Sequence, residues 1–134
     1  MSDFDLAELD TRVLAELTKA FPVSESPYCD LATVLGAREM DVLNSAEKLR
    51  QLGVITRVAA IFPRGASAVG EGSQTDADIA QIVSFDLPFS EHPFAEVAAQ
   101  LELRGTQVEG GEVIARIREW LADGTVSAVR ALTD

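Results

Sequence analysis

Apolar residues recur at helical spacing through the first third of the chain. In residues 5–20, Leu6, Leu9, Val13, Leu14 and Leu17 fall on one side of a helical wheel, and Asp5, Glu8, Arg12, Glu16 and Lys19 fall largely on the other. Early acids and a late lysine suit the helix dipole. Pro22 ends this first helix. Ser26 then reads as an N-cap, with Pro27 at the first position of a second helix. Its inner face is Tyr28, Leu31, Ala32, Val34 and Leu35, and Gly36 stops it. A third helix over roughly 39–52 turns Val42, Leu43, Ala46 and Leu49 inward, with Leu52 closing the end before Gly53. "VITRVAAIF", Val54 to Phe62, is apolar and β-branched and predicts a β-hairpin. Three helices with a short turn, then a hairpin, is the winged helix-turn-helix order.

The pattern then restarts. "PRGASAVGEGSQTD", Pro63 to Asp76, has no apolar period and reads as a flexible linker. Beyond it, an offset of 66 pairs Val13 with Ile79, Leu17 with Val83, Phe21 with Leu87, Pro27 with Pro93, Tyr28 with Phe94 and Leu35 with Leu101. "ELRGTQVEGG" lengthens the following turn, and the offset becomes 71. Val42 then pairs with Val113, Leu43 with Ile114, Ala46 with Ile117, Leu49 with Trp120 and Gly53 with Gly124. The expected architecture is mainly α with small β-hairpins: a first winged helix-turn-helix unit over 1–63, a linker over 64–76 and a second unit over 77–134. Units of ~60 residues are marginal alone, so the copies are expected to pack on each other or on a second chain. Phe4, Phe85, Phe89 and Trp120 are candidates for that contact or for the core. The hairpin edges offer a route to a homodimer.

Charge narrows the partners. The chain of 134 residues carries net charge −11. Residues 1–67 hold 7 Lys/Arg against 10 Asp/Glu, net −3, and residues 68–134 hold 4 against 12, net −8. Such a field repels phosphate backbones, most strongly from the second half. No apolar run approaches the ~18–20 residues that span a bilayer, so no membrane partner is expected. The acidic start, "MSDFDLAELD", lacks leader architecture, and the expectation is a cytoplasmic protein. One cysteine, Cys29, excludes an internal disulfide and reads as a small packed residue.

"FPVSESPY", "LATVLG" and "DVLNSAEKLRQLGVITRV" together resemble the helix-turn-helix of Lrp/AsnC-type proteins. They are more closely similar to the helix-turn-helix portions of siroheme decarboxylase subunits. Leu49, Gly53, Val54, Ile55 and Arg57 stand where that pattern ends its third helix and starts its wing. The second copy follows the pattern with Ala128 in place of Arg57. The resemblance implies that an α/β domain holding the tetrapyrrole, with the family's catalytic histidine segments, follows each unit. The short linker leaves no room for one, so no catalysis and no cofactor are expected. Two binding functions remain. One is an Lrp/AsnC-like transcriptional regulator contacting DNA through the first unit. The other is a protein-contact accessory related to siroheme decarboxylase or haem biosynthesis, without DNA.

The candidate DNA residues are Arg38, Asn44, Lys48, Arg50 and Arg57. The third helix of this motif enters the major groove, where Asn44 has the chemistry to read an adenine edge and the cations to meet phosphates. Its outward positions are expected to be Glu39, Asp41, Asn44, Ser45, Lys48 and Gln51, with Arg64 beside the hairpin. The same helix in the second copy offers Glu109, Glu112, Ala115, Arg116 and Glu119, a poor DNA surface. The lone histidine, His92, occupies the cap position that matches Ser26, and its functional alternative is an axial ligand to tetrapyrrole iron. One Cys and one distant His do not make a zinc site. Glu109 and Glu112 read as acids at a helix start, and "RGTQVEGGE" lacks the Lys-Ser/Thr of a phosphate loop.

Overall fold

The structure is a computed structural model; it describes residues 8–65, 69 and 73–133. Phe4, Asp5 and Leu6 and, of the expected linker, residues 66–68 and 70–72 lie outside the described residues. The elements run α1 (Glu8–Lys19), α2 (Pro27–Leu35), α3 (Glu39–Gln51), β1 (Arg57–Ile61), α4 (Gln74–Val83), α5 (Pro93–Leu103), α6 (Gly110–Asp123) and β2 (Ala128–Leu132). The fold class is the expected one, mainly α in two helix-turn-helix units with small β elements. Helix α4 begins at Gln74, inside the segment expected as linker, because the Ser73 hydroxyl accepts the Asp76 N–H and caps the helix there.

The strands pair across the repeat. Each expected hairpin is one strand, and β1 lies antiparallel to β2 with Val58 opposite Ala131 and Ala60 opposite Val129. The physical reason is local. Neither "VITRVAAIF" nor "TVSAVRALT" contains the Asn-Gly, Asp-Gly or Gly-X step that folds a short run back on itself. Each strand therefore takes its partner from the other copy.

An approximate internal twofold organises the hydrogen bonds. Phe21 N–H donates to Val129 O at 2.7 Å, and Leu87 N–H donates to Val58 O at 2.7 Å. Thr56 N–H reaches Leu132 O at 2.8 Å, and Ser127 N–H reaches Ile61 O at 2.9 Å. In each pair the two bonds relate mates of the repeat. The segment after α1 thus covers the outer edge of β2, and the segment after α4 covers the outer edge of β1. Edge pairing with a second chain, expected as a route to a dimer, meets strands already joined to each other and capped on their outer sides.

One hydrophobic core runs through both units. Val13, Leu17, Tyr28, Val42, Leu49, Ile55 and Val58 from the first join Ile79, Val83, Phe94, Leu101, Val113, Ile117 and Val129 from the second. Sharing it answers the marginal size of each unit. The mates Gly53 and Gly124 close α3 and α6 with φ of 79° and 86°, a left-handed backbone that a Cβ disfavours. Trp120 is core and packs edge-on against Phe62 at 5.6 Å between ring centroids. Two expected core positions are corrected. Val34 is 69% exposed and Leu52 is 60% exposed. Helix α2 buries the stripe Tyr28, Leu31, Ala32 and Leu35, and Val34 falls off that i, i+3, i+4, i+7 line. Leu52 lies past the last turn of α3, which leaves it at the surface.

Candidate functional site

Helix α3 carries the candidate DNA residues, and its own neighbours engage most of them. Arg38 is the N-cap residue of α3, and its guanidinium donates to Asp41 at 3.1 Å. Lys48 donates to Asp10 Oδ2 at 2.8 Å, and that carboxylate is only 7% exposed. Ser45 donates to the other oxygen of Asp10. Ser45 was expected to face outward; it is buried, because Asp10 sits on the inner stripe of α1 and draws the hydroxyl in. Arg50 pairs with Glu47 at 2.8 Å and lies over the Phe89 ring at 5.0 Å, so it faces the second unit. Glu47 holds the Arg50 guanidinium above its ordinary pKa. Arg57 opens β1, with its guanidinium 6.0 Å from the Phe85 ring. Asn44 is exposed.

Lys48 and Arg50 do not share one face of α3. At 100° per residue, Lys48 and Arg50 stand roughly 160° apart around α3. Asn44 and Lys48, four residues apart, share one flank. Arg50 sits on the opposite flank, at the junction with the second unit. The second unit repeats the α1–α3 clasp. There, Asp76, the mate of Asp10, pairs with Arg116 of α6 at 2.9 Å, and Arg116 also pairs with Glu119 at 2.7 Å.

The junction between the units is polar at its rim. The loop 84–90 puts Phe89 against Tyr28 at 6.2 Å and Phe85, 70% exposed, beside Arg57. Burial, chiefly, pushes the Asp86 carboxyl above its ordinary pKa, opposed by the Val58 and Leu87 backbone and by Arg50 and Arg57. Burial, then Asp86 and Glu47, pushes the Tyr28 phenol above its usual range. On the far side of the twofold, Arg118 Nε donates to Val23 O at 2.9 Å. His92 Nδ1 lies 2.9 Å from Glu25 O. A carbonyl only accepts, so Nδ1 carries the proton in that bond.

A groove opens along that far side. Two adjoining cavities, of about 470 and about 530 Å³, share Glu25, Ser26, Gly111 and Ile114. The first adds His92, Ala95, Glu109 and Gly110, and the second adds Ser24, Asp30 and Arg118. Ser26 and His92 sit at matching N-caps, with φ, ψ of −132°, 68° and −133°, 70°, and neither side chain caps its helix. Glu109 and Glu112 form a reciprocal capping box at the start of α6. They satisfy backbone N–H groups there and make no acid/base couple. Among the described residues, no group of three or more His, Cys, Asp or Glu is placed to hold a metal ion. No helix of the described residues is long and apolar enough to cross a membrane. Cys29 is exposed rather than packed.

Sequence reasoning missed Asp10 and Glu47, which hold Lys48 and Arg50; Phe89, a candidate for the contact between the copies, lies under Arg50 and beside Tyr28. Asp10 carried a signal, an acid three residues before Val13 and seven before Leu17 on the buried stripe. That Phe89 meets Arg50 in particular joins distant segments and left no local mark.

The comparisons fit this geometry. The family model described as "Siroheme decarboxylase NirDL-like HTH domain" matches residues 10–55, the span from Asp10 to Ile55 that holds α1 to α3. A crystal structure of the siroheme decarboxylase NirDL is similar over 93% of this chain, with a TM-score of 0.74 and 15% identity. The same protein in co-complex with an iron-uroporphyrin III analogue gives a TM-score of 0.75 and 16% identity over 93% of the chain. This chain covers 65% and 66% of those chains. No curated protein matches the sequence. The first unit is therefore homologous to the helix-turn-helix region of NirDL-type siroheme decarboxylases, and the likeness of fold extends through both units.

Proposed function

We propose that this chain is a non-catalytic tandem helix-turn-helix module that works by protein contact, as an accessory or partner in siroheme decarboxylase-type tetrapyrrole chemistry. One observation carries the reading. The cations that would meet phosphate on α3 are committed within the chain: Lys48 to buried Asp10, Arg38 to Asp41, and Arg50 to Glu47 and the Phe89 ring. Freeing Lys48 for DNA would take the α3 cation away from buried Asp10, which is costly. The net charge of −11 acts in the same direction. The helix-turn-helix match supports the class of partner.

The competing reading is an Lrp/AsnC-like regulator reading DNA through Arg38, Asn44, Lys48, Arg50 and Arg57. Two assays on the purified chain separate them. One is a gel shift with pooled genomic fragments at low and at physiological salt. The other is binding to an immobilised NirDL-type siroheme decarboxylase. Contact with the decarboxylase and no retained DNA at physiological salt is the expected result. Retention of a specific DNA subset at both salts would overturn it.

A further inference from the structure

Gly110 and Gly111 open α6, and only the first has a packing reason to be glycine. A Cβ on Gly110 would stand 3.0 Å from the Cα of Ala95 in α5. A Cβ on Gly111 would meet nothing within 4 Å, and its φ is not positive. Glycine in a helix costs about 1 kcal/mol relative to alanine. Neither conformation nor packing offsets that cost at Gly111. Its missing side chain leaves the floor of the groove open, since Gly111 lines both cavities. The repeat mate of Gly111 is Met40, which is 55% exposed, so a side chain fills the corresponding place in the first unit.

Charge selects the guest. Glu25 lines both cavities, and its carboxylate has no partner among the described residues. Asp30 accepts from the Ser24 hydroxyl, and Glu109 accepts from the first turn of α6, so neither is neutralised by a cation there. Arg118 is the one cationic side chain lining the groove among the described residues, and its Nε is turned to Val23 O. Pro27 and Pro93 each remove one N–H from the starts of α2 and α5, and the capping box occupies the start of α6. Ile114 and Ala95 supply apolar surface against which the methylene stem of a lysine or arginine packs.

We propose that this groove docks an extended basic segment of a partner protein. The partner backbone lies over Gly111, and its Lys or Arg side chains reach Glu25, Asp30 and Glu109. The inference deepens the protein-contact reading and rests on it.

The test is fluorescence anisotropy with a labelled nine-residue peptide alternating Lys and Ala, beside a Glu/Ala control and inorganic phosphate as competitor. An acidic protein attracts any basic peptide, so the decisive variant changes no charge. Gly111→Met installs the residue that the first unit already carries at this position. It is expected to weaken the basic peptide roughly tenfold while the thermal unfolding midpoint is held or raised. Glu25→Gln is expected to weaken it with a smaller salt dependence. Wild-type affinity in Gly111→Met overturns the groove, as does absence of peptide binding at low salt. Tighter binding of the Glu/Ala peptide or phosphate, lost in Gly111→Met, would assign the groove to anions and equally overturn the proposal. Gly111→Met that still binds the decarboxylase at wild-type strength removes the groove and leaves the protein-contact reading standing. Failure of the wild-type chain to bind the decarboxylase removes that reading instead.

Discussion

Lys48 Nζ stands 2.8 Å from Asp10 Oδ2, so a lysine on the flank of α3 that would face DNA ties that helix to α1. Asp10 is buried and also accepts the Ser45 hydroxyl. Lys48→Ala takes the α3 cation away from that buried carboxylate and leaves the Ser45 hydroxyl in place. Lys48 is 52% exposed, so solvent screens part of the pair. The expected loss is about 1–2 kcal/mol. Arg116→Ala, which breaks the pair to the more exposed Asp76, the mate of Asp10, is expected to cost under about 1 kcal/mol. Urea unfolding of both variants checks the order. Equal losses would show that burial of Asp10 does not set the energy.

Strand exchange makes the units one cooperative system. Val58 and Val129 are buried, and each strand packs in a core drawn from both copies. Val129→Ala is expected to cost about 1.5–3 kcal/mol and to lower the stability of both units together. Trp120 reports the second unit and Tyr28 the first. Their fluorescence is expected to change in a single coincident urea transition, shifted equally by the substitution. Two separated transitions would mean that the shared sheet does not couple the units.

How much of this was legible depends on the range of each signal. Helices and repeat were written locally, in prolines at helix starts, glycines at helix ends and apolar residues at 3.6-residue spacing. The pairing of β1 with β2 joins segments 67 residues apart, from Ile61 to Ala128, and depends on how the two units pack. No local residue encodes it. The inward turn of Ser45 follows from Asp10, an acid on the buried stripe of α1 that was visible but unread. The groove was less legible still. Glu25, His92 and Gly111 come from three segments that only the twofold brings together, and the tandem glycines read in sequence as a turn.

Asp86 gives the fold a defined pH signature. Its folded pKa is raised above the ordinary carboxylate value, mainly by burial. A raised acid binds its proton more tightly when folded, so ionising it opposes folding. Stability from this group is present below the ordinary value and declines as pH rises through the folded one. Asp86→Asn is neutral throughout and keeps an acceptor for the backbone. It is expected to be more stable than wild type at pH 7, with the gap closing on acidification into the carboxylate range. Half-buried Asp78, lowered mainly by the Thr106 hydroxyl, and exposed Asp123, lowered mainly by Thr125, run oppositely in wild type and variant alike, so the difference isolates Asp86. Urea unfolding at pH 7 and near pH 4 measures it. A gap that widens on acidification would reverse the sign.

The two glycines at the start of α6 should respond oppositely to the same methyl group. At Gly110 the added Cβ meets the Ala95 backbone, with the α5 Cα at 3.0 Å and N at 3.2 Å. Backbone cannot rotate away as a side chain does, so α6 must move from α5 and loosen the contact that buries Val97, Leu101, Val113 and Ile117. Gly110→Ala is expected to cost about 1–3 kcal/mol, the usual penalty for overpacking. At Gly111 the Cβ enters open space, and alanine restricts the unfolded chain and favours the helix. Gly111→Ala is expected to add about 0.4–1 kcal/mol. Thermal unfolding should therefore move down for one variant and up for its neighbour. A loss at both positions would mean that Gly111 serves the fold, and would remove the reason to assign it to a guest.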